Sequence, residues 1–376
     1  MNILIILCLC VATVTCDFLA PLYKSRDPVP NKYILKIKDS VRRSSFQRQF
    51  ENRISTQGLK ISGLKSLNFL NAMVVNIKAD QIDLIRSMDD VEFVEEDSYV
   101  YEDSVSSWGL DRIDQDDLPL DDSFSPPGDG AGVNVYVLDT GIHYTHEEFE
   151  GRAHYGYDVI GDGLEGRDCR GHGTHCAGTI GGKTYGVAKK VTLWSVRVLN
   201  CRGSGVRSGT IEGMNWVIGN ATGPSVVSMS LGGSASMLSN NAVSKLYNAG
   251  ITVIVSAGND NYPSCWKSPA SAPKAITVGS TTDTDARSYF SNYGSCVDIF
   301  APGSSIKSAS IESNTATSTK SGTSMACPHV SGAVAIELGR NPSLSPSEVA
   351  DTLTKKALVN KVVNGGPGSV NKLLRL

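Results

Sequence analysis

Between residues 133 and 259 the chain repeats one pattern: a short apolar run rich in β-branched residues, a polar or glycine-rich end, then a segment of helical length. The runs cover residues 133–138, 193–198, 225–230 and 251–255. This alternation predicts an α/β fold with a mainly parallel central sheet flanked by helices. In such a sheet, functional groups gather beyond the carboxyl ends of the strands. Each run ends in residues suited to that place: Asp139-Thr140-Gly141, Gly203-Ser204-Gly205, Ser230-Leu231-Gly232-Gly233 and Ser256-Ala257-Gly258-Asn259.

The first third reads differently. Tyr33-Ile34-Leu35-Lys36-Ile37 and residues 72–77 alternate as strands do, Ile82, Leu84, Ile85 and Met88 fit a short amphipathic helix, and residues 91–94 return to a strand. This predicts a small α+β unit ahead of the larger one. The acidic, serine-rich stretch 95–107 reads as an exposed linker between them. Residues 3–14 are almost wholly apolar. That run is too short to span a bilayer comfortably and fits the core of a signal peptide occupying residues 1–16, cut after Cys16. No other segment is apolar enough to cross a membrane. A length of 376 residues suits two units with real cores. The net charge of −3 gives no electrostatic case for nucleic acid, and Lys38, Arg42, Arg43 and Arg48 read as a solvated face.

With Cys8, Cys10 and Cys16 removed in the leader, Cys169, Cys176, Cys201, Cys265, Cys296 and Cys327 remain. In an exported protein these are disulfide candidates whose pairing spacing alone leaves open. Asn220-Ala221-Thr222 is a glycosylation sequon, with meaning only in a eukaryotic host.

Hydrolysis by an activated hydroxyl needs a nucleophile, a base, a carboxylate to orient the base, and donors for the developing oxyanion. Ser324 lies in Gly322-Thr323-Ser324-Met325-Ala326, with small residues before it and a buried-helix pattern after it. A serine at a helix start has backbone N–H groups and the positive dipole end beside it. The plainer reading is that Thr323 or Ser324 only caps the helix. Ala326 stands where an esterase elbow would have glycine. His172 is flanked by Gly171 and Gly173, which leave its ring unobstructed. Cys169, His172, His175 and Cys176 match no common structural zinc spacing. Asp139 ends the first strong strand, and Asn259 follows another. Each alone is equally a turn residue. Their joint occurrence in the order Asp, His, Ser is what points to serine hydrolase chemistry.

These motifs, with Tyr185-Gly186-Val187-Ala188-Lys189 and Phe290-Ser291-Asn292-Tyr293-Gly294-Ser295-Cys296, resemble those of the subtilisin-like serine proteases, in the proteinase K branch and nearest its aqualysin-type members. The resemblance runs from Trp108 to the C-terminus. It implies a secreted, monomeric endopeptidase acting on polypeptides, with residues 17–100 as a propeptide that assists folding and inhibits, residues 101–376 as the catalytic domain, and self-processing between residues 100 and 104. Asp139, His172 and Ser324 would be the triad, and Asn259 with the Ser324 N–H the oxyanion hole. Gly203, Ser204, Gly205, Ser230, Leu231 and Gly232 would pair with extended substrate as strands, beside Ala257 and Gly258. The pattern further implies disulfides Cys169–Cys201 and Cys265–Cys296, with Cys176 and Cys327 as buried thiols. No cofactor is implied for catalysis. Structural calcium is implied, one ion at Asp298 with the carbonyls of Pro273 and Ala275, another at Asp111, Asp114, Gln115 and Asp121. Lys267 and Arg207 depart from tyrosines of the branch at the primary pocket and a more distant subsite. A half-buried cation seeks a carboxylate, which would shift a broad specificity toward acidic substrates. The alternative is that both side chains reach out to water and leave specificity broad.

Overall fold

The computed structural model describes residues 19–25, 28–58, 61–102 and 108–376. The expected signal peptide, and the far end of the expected cut region, lie outside the described residues.

The leading unit contains strand β1 (Pro28–Ile37), helix α1 (Arg43–Thr56), strands β2 (Ser62–Leu67) and β3 (Ala72–Asn76), short helix α2 (Ile82–Arg86) and strand β4 (Val91–Glu102). These four strands lie in the order β4-β1-β3-β2, each pair antiparallel, and the two-residue strand Leu22–Tyr23 pairs with β4 in parallel. Strand alternation gives the sheet two apolar faces. Tyr33, Leu35, Met73 and Val75 pack under α1 through Phe46, Phe50 and Ile54. Helix α1 was not expected. Its three apolar residues recur at helical spacing but are diluted by the basic residues around them.

The larger unit follows the expected alternation closely. Its elements are β5 (Asn134–Asp139), β6 (Ala153–Asp158), α3 (His172–Gly181), β7 (Thr192–Arg197), β8 (Ser204–Val206), α4 (Arg207–Asn220), β9 (Ser225–Met229), β10 (Leu231–Ser234), α5 (Met237–Asn248), β11 (Thr252–Ser256), β12 (Ile276–Thr281), β13 (Ile299–Pro302), α6 (Thr323–Arg340) and α7 (Pro346–Lys356). Seven strands of the sheet run parallel in the order β13-β12-β11-β9-β5-β7-β6; the two-residue strand Lys372–Leu373 extends the β13 edge in parallel, and Leu358–Val359 closes it antiparallel. Successive residues of β5 divide between two cores. Val135 and Val137 pack with Ala177 of α3 and Val330 and Val334 of α6. Tyr136 and Leu138 pack with Ile211 and Met214 of α4 and Leu238 and Val243 of α5. The chain turns back across the sheet between β5 and β9, and a crevice opens there, beyond their carboxyl ends.

The second core also takes in Ile34, Leu67, Leu70, Val74 and Phe93, so the leading sheet lies directly on α4 and α5. Of the stretch expected as an exposed linker, residues 95–102 are instead the second half of β4, and residues 103–107 lie outside the described residues. Glu95, Asp97 and Ser98 are buried. Acidity signals exposure only when no partner waits, and here partners wait: Arg207 Nη1 donates to Glu95 Oε1 at 2.8 Å, and the Ser208 N–H donates to Asp97 Oδ1 at 3.0 Å. Lys65 and Glu212 form a further ion pair across the same boundary. Among the described residues no helix is long and apolar enough to cross a membrane.

Candidate active site

Asp139 ends β5 and His172 opens α3, and the two meet in the crevice. The His172 Nδ1–H donates to Asp139 Oδ1 at 2.7 Å, with both side chains fully buried. A carboxylate can only accept, so Nδ1 carries the hydrogen and Nε2 is the nitrogen able to take a proton. The Thr140 N–H also donates to Asp139 Oδ1, at 2.7 Å, which fixes the carboxylate.

Two glycines make this approach possible. A Cβ on Gly173 would lie 2.2 Å from the Gly141 carbonyl oxygen. Gly141 itself has φ +115°, and a Cβ there would lie 2.6 Å from the Gly166 carbonyl oxygen. A third support is Asp168. Its Oδ1 accepts from Thr140 Oγ1 at 2.9 Å, Arg170 N–H at 2.9 Å and Gly171 N–H at 2.8 Å. Its Oδ2 accepts from Thr174 N–H at 2.9 Å and Thr174 Oγ1 at 2.7 Å. One buried carboxylate thus ties the end of β5 to the start of α3. Sequence reasoning passed over Asp168. The available signal was a short acidic side chain three residues ahead of a glycine at a helix start.

Ser324 is the second residue of α6 and is fully buried. Its Oγ–H donates to the Ser230 carbonyl at 3.0 Å, and Ser230 Oγ–H donates back to the Ser324 carbonyl at 2.9 Å. Helices α3 and α6 pack together. Cys176, one turn along from His172, has Sγ 3.4 Å from the Ser324 carbonyl oxygen. The serine and histidine therefore open two helices that meet at adjoining turns.

Asn259 follows β11. Its Oδ1 accepts from both the Thr323 N–H and Thr323 Oγ1, each at 2.9 Å. With its oxygen held at the start of α6, the amide keeps Nδ2 as its donor end. The loop before it is held by Asn292, which is fully buried. Asn292 Nδ2 donates to Ala257 O at 2.8 Å, and its Oδ1 accepts from the Asp260 and Tyr262 N–H groups at 3.0 and 2.9 Å. Gly258 has φ +97°, and a Cβ there would lie 2.5 Å from Asn292 Nδ2. Asn292 stood within a recognised motif, but nothing in the sequence told its role.

The two buried thiols beside this centre are held neutral. Burial, and then the Asp139 charge, push the Cys176 thiol well up, and burial pushes Cys327 up to about 11. Neither offers a thiolate at neutral pH. Asp139, His172 and Cys176 place ligand atoms within 4.8 Å of one another. The Asp139–His172 hydrogen bond and a protonated thiol explain that cluster without a metal. Cys169, weighed above with His172, His175 and Cys176 as a zinc ligand, is bridged to Cys201, and Cys265 is bridged to Cys296. Burial holds His175 well below the usual histidine range.

Two edge strands flank the crevice. The end of β4 runs antiparallel to both, with Tyr99, Val100 and Tyr101 opposite Val206, Gly205 and Ser204, and Tyr101 and Glu102 opposite Gly232 and Leu231. Gly203 turns the chain into β8 at φ +76°. A Cβ on Gly205 would lie 2.2 Å from the Val198 carbonyl oxygen. Lys267 sits at the neighbouring two-residue strand Lys267–Ser268, and its ammonium already has a carboxylate, Asp260 Oδ2 at 2.8 Å. Arg207 does not flank an open subsite here. It is buried against Glu95 of β4.

The expected metal ligands fall in two groups. Asp298, Pro273 and Ala275 line one cavity of about 230 Å³. Asp298 Oδ2 accepts from the Thr277 N–H at 2.8 Å, and burial pushes its carboxyl up. Asp111, Asp114, Gln115 and Asp121 gather on one loop. Asp111 Oδ1 and Gln115 Oε1 both accept from the Asp121 N–H, at 3.2 and 3.3 Å. Burial first, then the charges of Asp111 and Asp121, raise the Asp114 carboxyl.

Residues 130–373 match the family model of peptidase S8, the subtilase family. The chain is a subtilase. It is 50% identical over 333 residues to an extracellular serine proteinase of Thermus sp. (strain Rt41A), a match covering 85% of this chain and 81% of that protein. It is 45% identical over 362 residues to alkaline serine exoprotease A of Vibrio alginolyticus, covering 92% and 67%. Among solved structures, a cold-adapted subtilisin-like serine proteinase superposes with a TM-score of 0.70 at 51% identity, covering 72% of this chain and 98% of that one. The subtilisin-like fold and its peptide-hydrolase class follow: this subtilase is a serine endopeptidase.

Proposed function

We propose that this subtilase is an exported endopeptidase made as a self-processed zymogen. In it, Asp139, His172 and Ser324 act as the triad and residues 17–100 act as an inhibitory propeptide. One observation carries the reading. The end of β4 lies as a strand between β8 and β10, the place and direction in which an extended substrate would pair, and β10 begins one residue after Ser230, whose carbonyl accepts from Ser324 Oγ. Before processing, the chain is its own first substrate; afterwards the same strand is a product that blocks the cleft.

The chemistry follows from the site. His172 Nε2 takes the hydroxyl proton as Ser324 Oγ attacks the scissile carbonyl carbon. Asp139 holds the ring and stabilises the imidazolium. The carbonyl π electrons move to oxygen, and Asn259 Nδ2 and the Ser324 N–H receive that charge. Collapse expels the amine, which takes the proton from His172. Water, deprotonated by the same nitrogen, then hydrolyses the acyl-enzyme. Specificity is broad. The Lys267 charge is matched by Asp260, which argues against a strong preference for acidic residues at the primary pocket. Ser324→Ala secreted from the same host should stay full-length and leave no hydrolysis above background. A Ser324→Ala chain that is cut at residues 100–104 would overturn self-processing.

Calcium fits both groups of expected ligands, because burial and like charge have raised the Asp298 and Asp114 carboxyls and a dication would relieve both. When bound it supplies crosslinking of surface loops and takes no part in the reaction. Chelation of the processed enzyme should lower Tm, by an amount set by about 2.7 kcal/mol for an ion at a hundredfold excess over its Kd. Added calcium should restore it, and Asp298→Asn should lessen the response. A melting curve indifferent to chelator would remove calcium from the account.

A further inference from the structure

Asn220-Ala221-Thr222 stands apart from the cleft, at the other end of the central sheet. Asn-x-Ser/Thr, with any residue but proline in the middle, is the acceptor signal for an N-linked glycan. Asn341-Pro342-Ser343 has the same outer residues but carries the excluded proline. The signal also needs open ground, because a bulky, hydrated glycan is compatible with a folded chain only on its surface.

The fold supplies that ground. Asn220 is the last residue of α4 and is exposed, as are Gly219, Thr222 and Gly223. Ala221 leaves the helix in an extended conformation, with φ −65° and ψ 134°, so the signal straddles the helix end. A Cβ added at Gly219 or Gly223 would meet nothing within 4 Å, which leaves space on both sides. Asn220 Nδ2 donates to the Trp216 carbonyl, one turn back, at 2.8 Å. Thr222 is tied to the fold through its carbonyl, which accepts from Asn134 Nδ2 at 2.8 Å. Helix α4 begins directly after the cleft strand β8, and its 14 residues carry the chain about 20 Å away from it. The chain then enters β9 at Ser225, opposite Asn134, the first residue of β5. These are the amino ends of the strands, and the crevice lies beyond their carboxyl ends.

We infer that Asn220 is the acceptor of an N-linked glycan, attached as the chain enters a eukaryotic export route. This rests on the proposed export and is independent of self-processing. The donor is an oligosaccharide joined through pyrophosphate to a lipid, and the transferring enzyme is the host's. Nδ2 bonds to C1 of the first sugar. The bond from C1 to the pyrophosphate oxygen breaks, and its electron pair leaves on that oxygen. An amide nitrogen of this kind has two hydrogens. A base of the transferase takes one, and the other remains to donate to the Trp216 carbonyl, so the helix end keeps its bond. The glycan then stands on the end of the sheet away from the cleft and leaves the path of substrate to Ser324 open.

The test expresses the full chain, leader included, in yeast. Recovery from the medium reads export, and digestion with peptide N-glycosidase reads the glycan. The wild-type chain should lose the mass of a single glycan. Peptide mass spectrometry should find position 220 converted from asparagine to aspartate only after digestion, the mark this glycosidase leaves. Asn220→Gln and Thr222→Ala should lose no mass on digestion, and Thr222→Ser should restore the loss. Thr222→Ala leaves Asn220 and its bond to Trp216 in place, so it decides should Asn220→Gln fail to fold. A chain retained inside the cell is digested in the same way, because the glycan is attached before export is complete. A wild-type chain that loses no mass overturns the acceptor, and so does a loss that persists in Thr222→Ala. The processed enzyme should show the same kcat/KM on a peptide before and after digestion. A changed kcat/KM would overturn the placement of the glycan away from the cleft.

Discussion

At the scale of single residues, the proposed oxyanion donor is the most exposed to test. Asn259 is oriented by Thr323, which gives two hydrogens to Oδ1 and accepts the Gly258 N–H at Oγ1. The amide is therefore set before any substrate arrives, and pre-set donors act on the transition state far more than on the bound substrate. Asn259→Ala should lower kcat by roughly 10²–10³-fold with KM little changed. Steady-state kinetics on a peptide substrate read this directly, and a change confined to KM would mean Asn259 only binds. The residues proposed to do chemistry were singled out in the sequence because each stands in a run of glycine, alanine and threonine that few other needs explain. The residues that hold them were not. Asp168 and Asn292 act through backbone groups brought close only by the fold, and a buried Asp or Asn looks the same in sequence as one in a turn.

At the scale of elements, the site depends on how closely α3 seats against the end of β5. Gly173 decides this. Its missing side chain leaves room for the Gly141 carbonyl, and an added Cβ would also lie 3.0 Å from Asp139 Cβ. Gly173→Ala must push the first turn of α3 outward, and that turn carries His172. The strain should cost about 1–3 kcal/mol of stability, as overpacking does. It should also reduce kcat/KM at least tenfold, since small misplacements of a catalytic group are expensive. A folded Gly173→Ala enzyme with unchanged kcat/KM would show that α3 has slack. Four strands of the larger unit, β5, β7, β9 and β11, were legible to within about a residue, because each is a compact apolar run with a polar or glycine-rich end; the strands at Ala153–Asp158, Ile276–Thr281 and Ile299–Pro302 were not read from the sequence. Strand β4 was not, past Val94. Its acids read as solvent-facing until Arg207 and the starts of α4 and α5, more than a hundred positions later, come to meet them. Periodicity is local; charge pairing across the fold is not.

At the scale of the whole molecule, α6 runs through the core, and its burial bears on acid stability. His329 lies one turn after Met325, fully enclosed, with its Nδ1–H donating to the Met325 carbonyl at 2.8 Å. Burial holds its pKa down to about 4, below the ordinary value of 6.5, because a charged ring there would lose its water. Unfolding releases this histidine to its ordinary value, so between those limits the unfolded chain binds the extra proton. Stability contributed by the neutral ring is then complete above about pH 6.5 and drains away as the pH falls toward 4. The full difference is on the order of 3 kcal/mol. His175, also held low by burial, acts in the same sense. Melting the processed enzyme, with its serine blocked to prevent autolysis, should show Tm falling steadily from pH 6.5 toward 4. His329→Gln keeps a donor for the Met325 carbonyl but cannot take up the proton. Its Tm should fall less steeply over that window, and parallel curves for the two proteins would mean that the acid loss arises elsewhere.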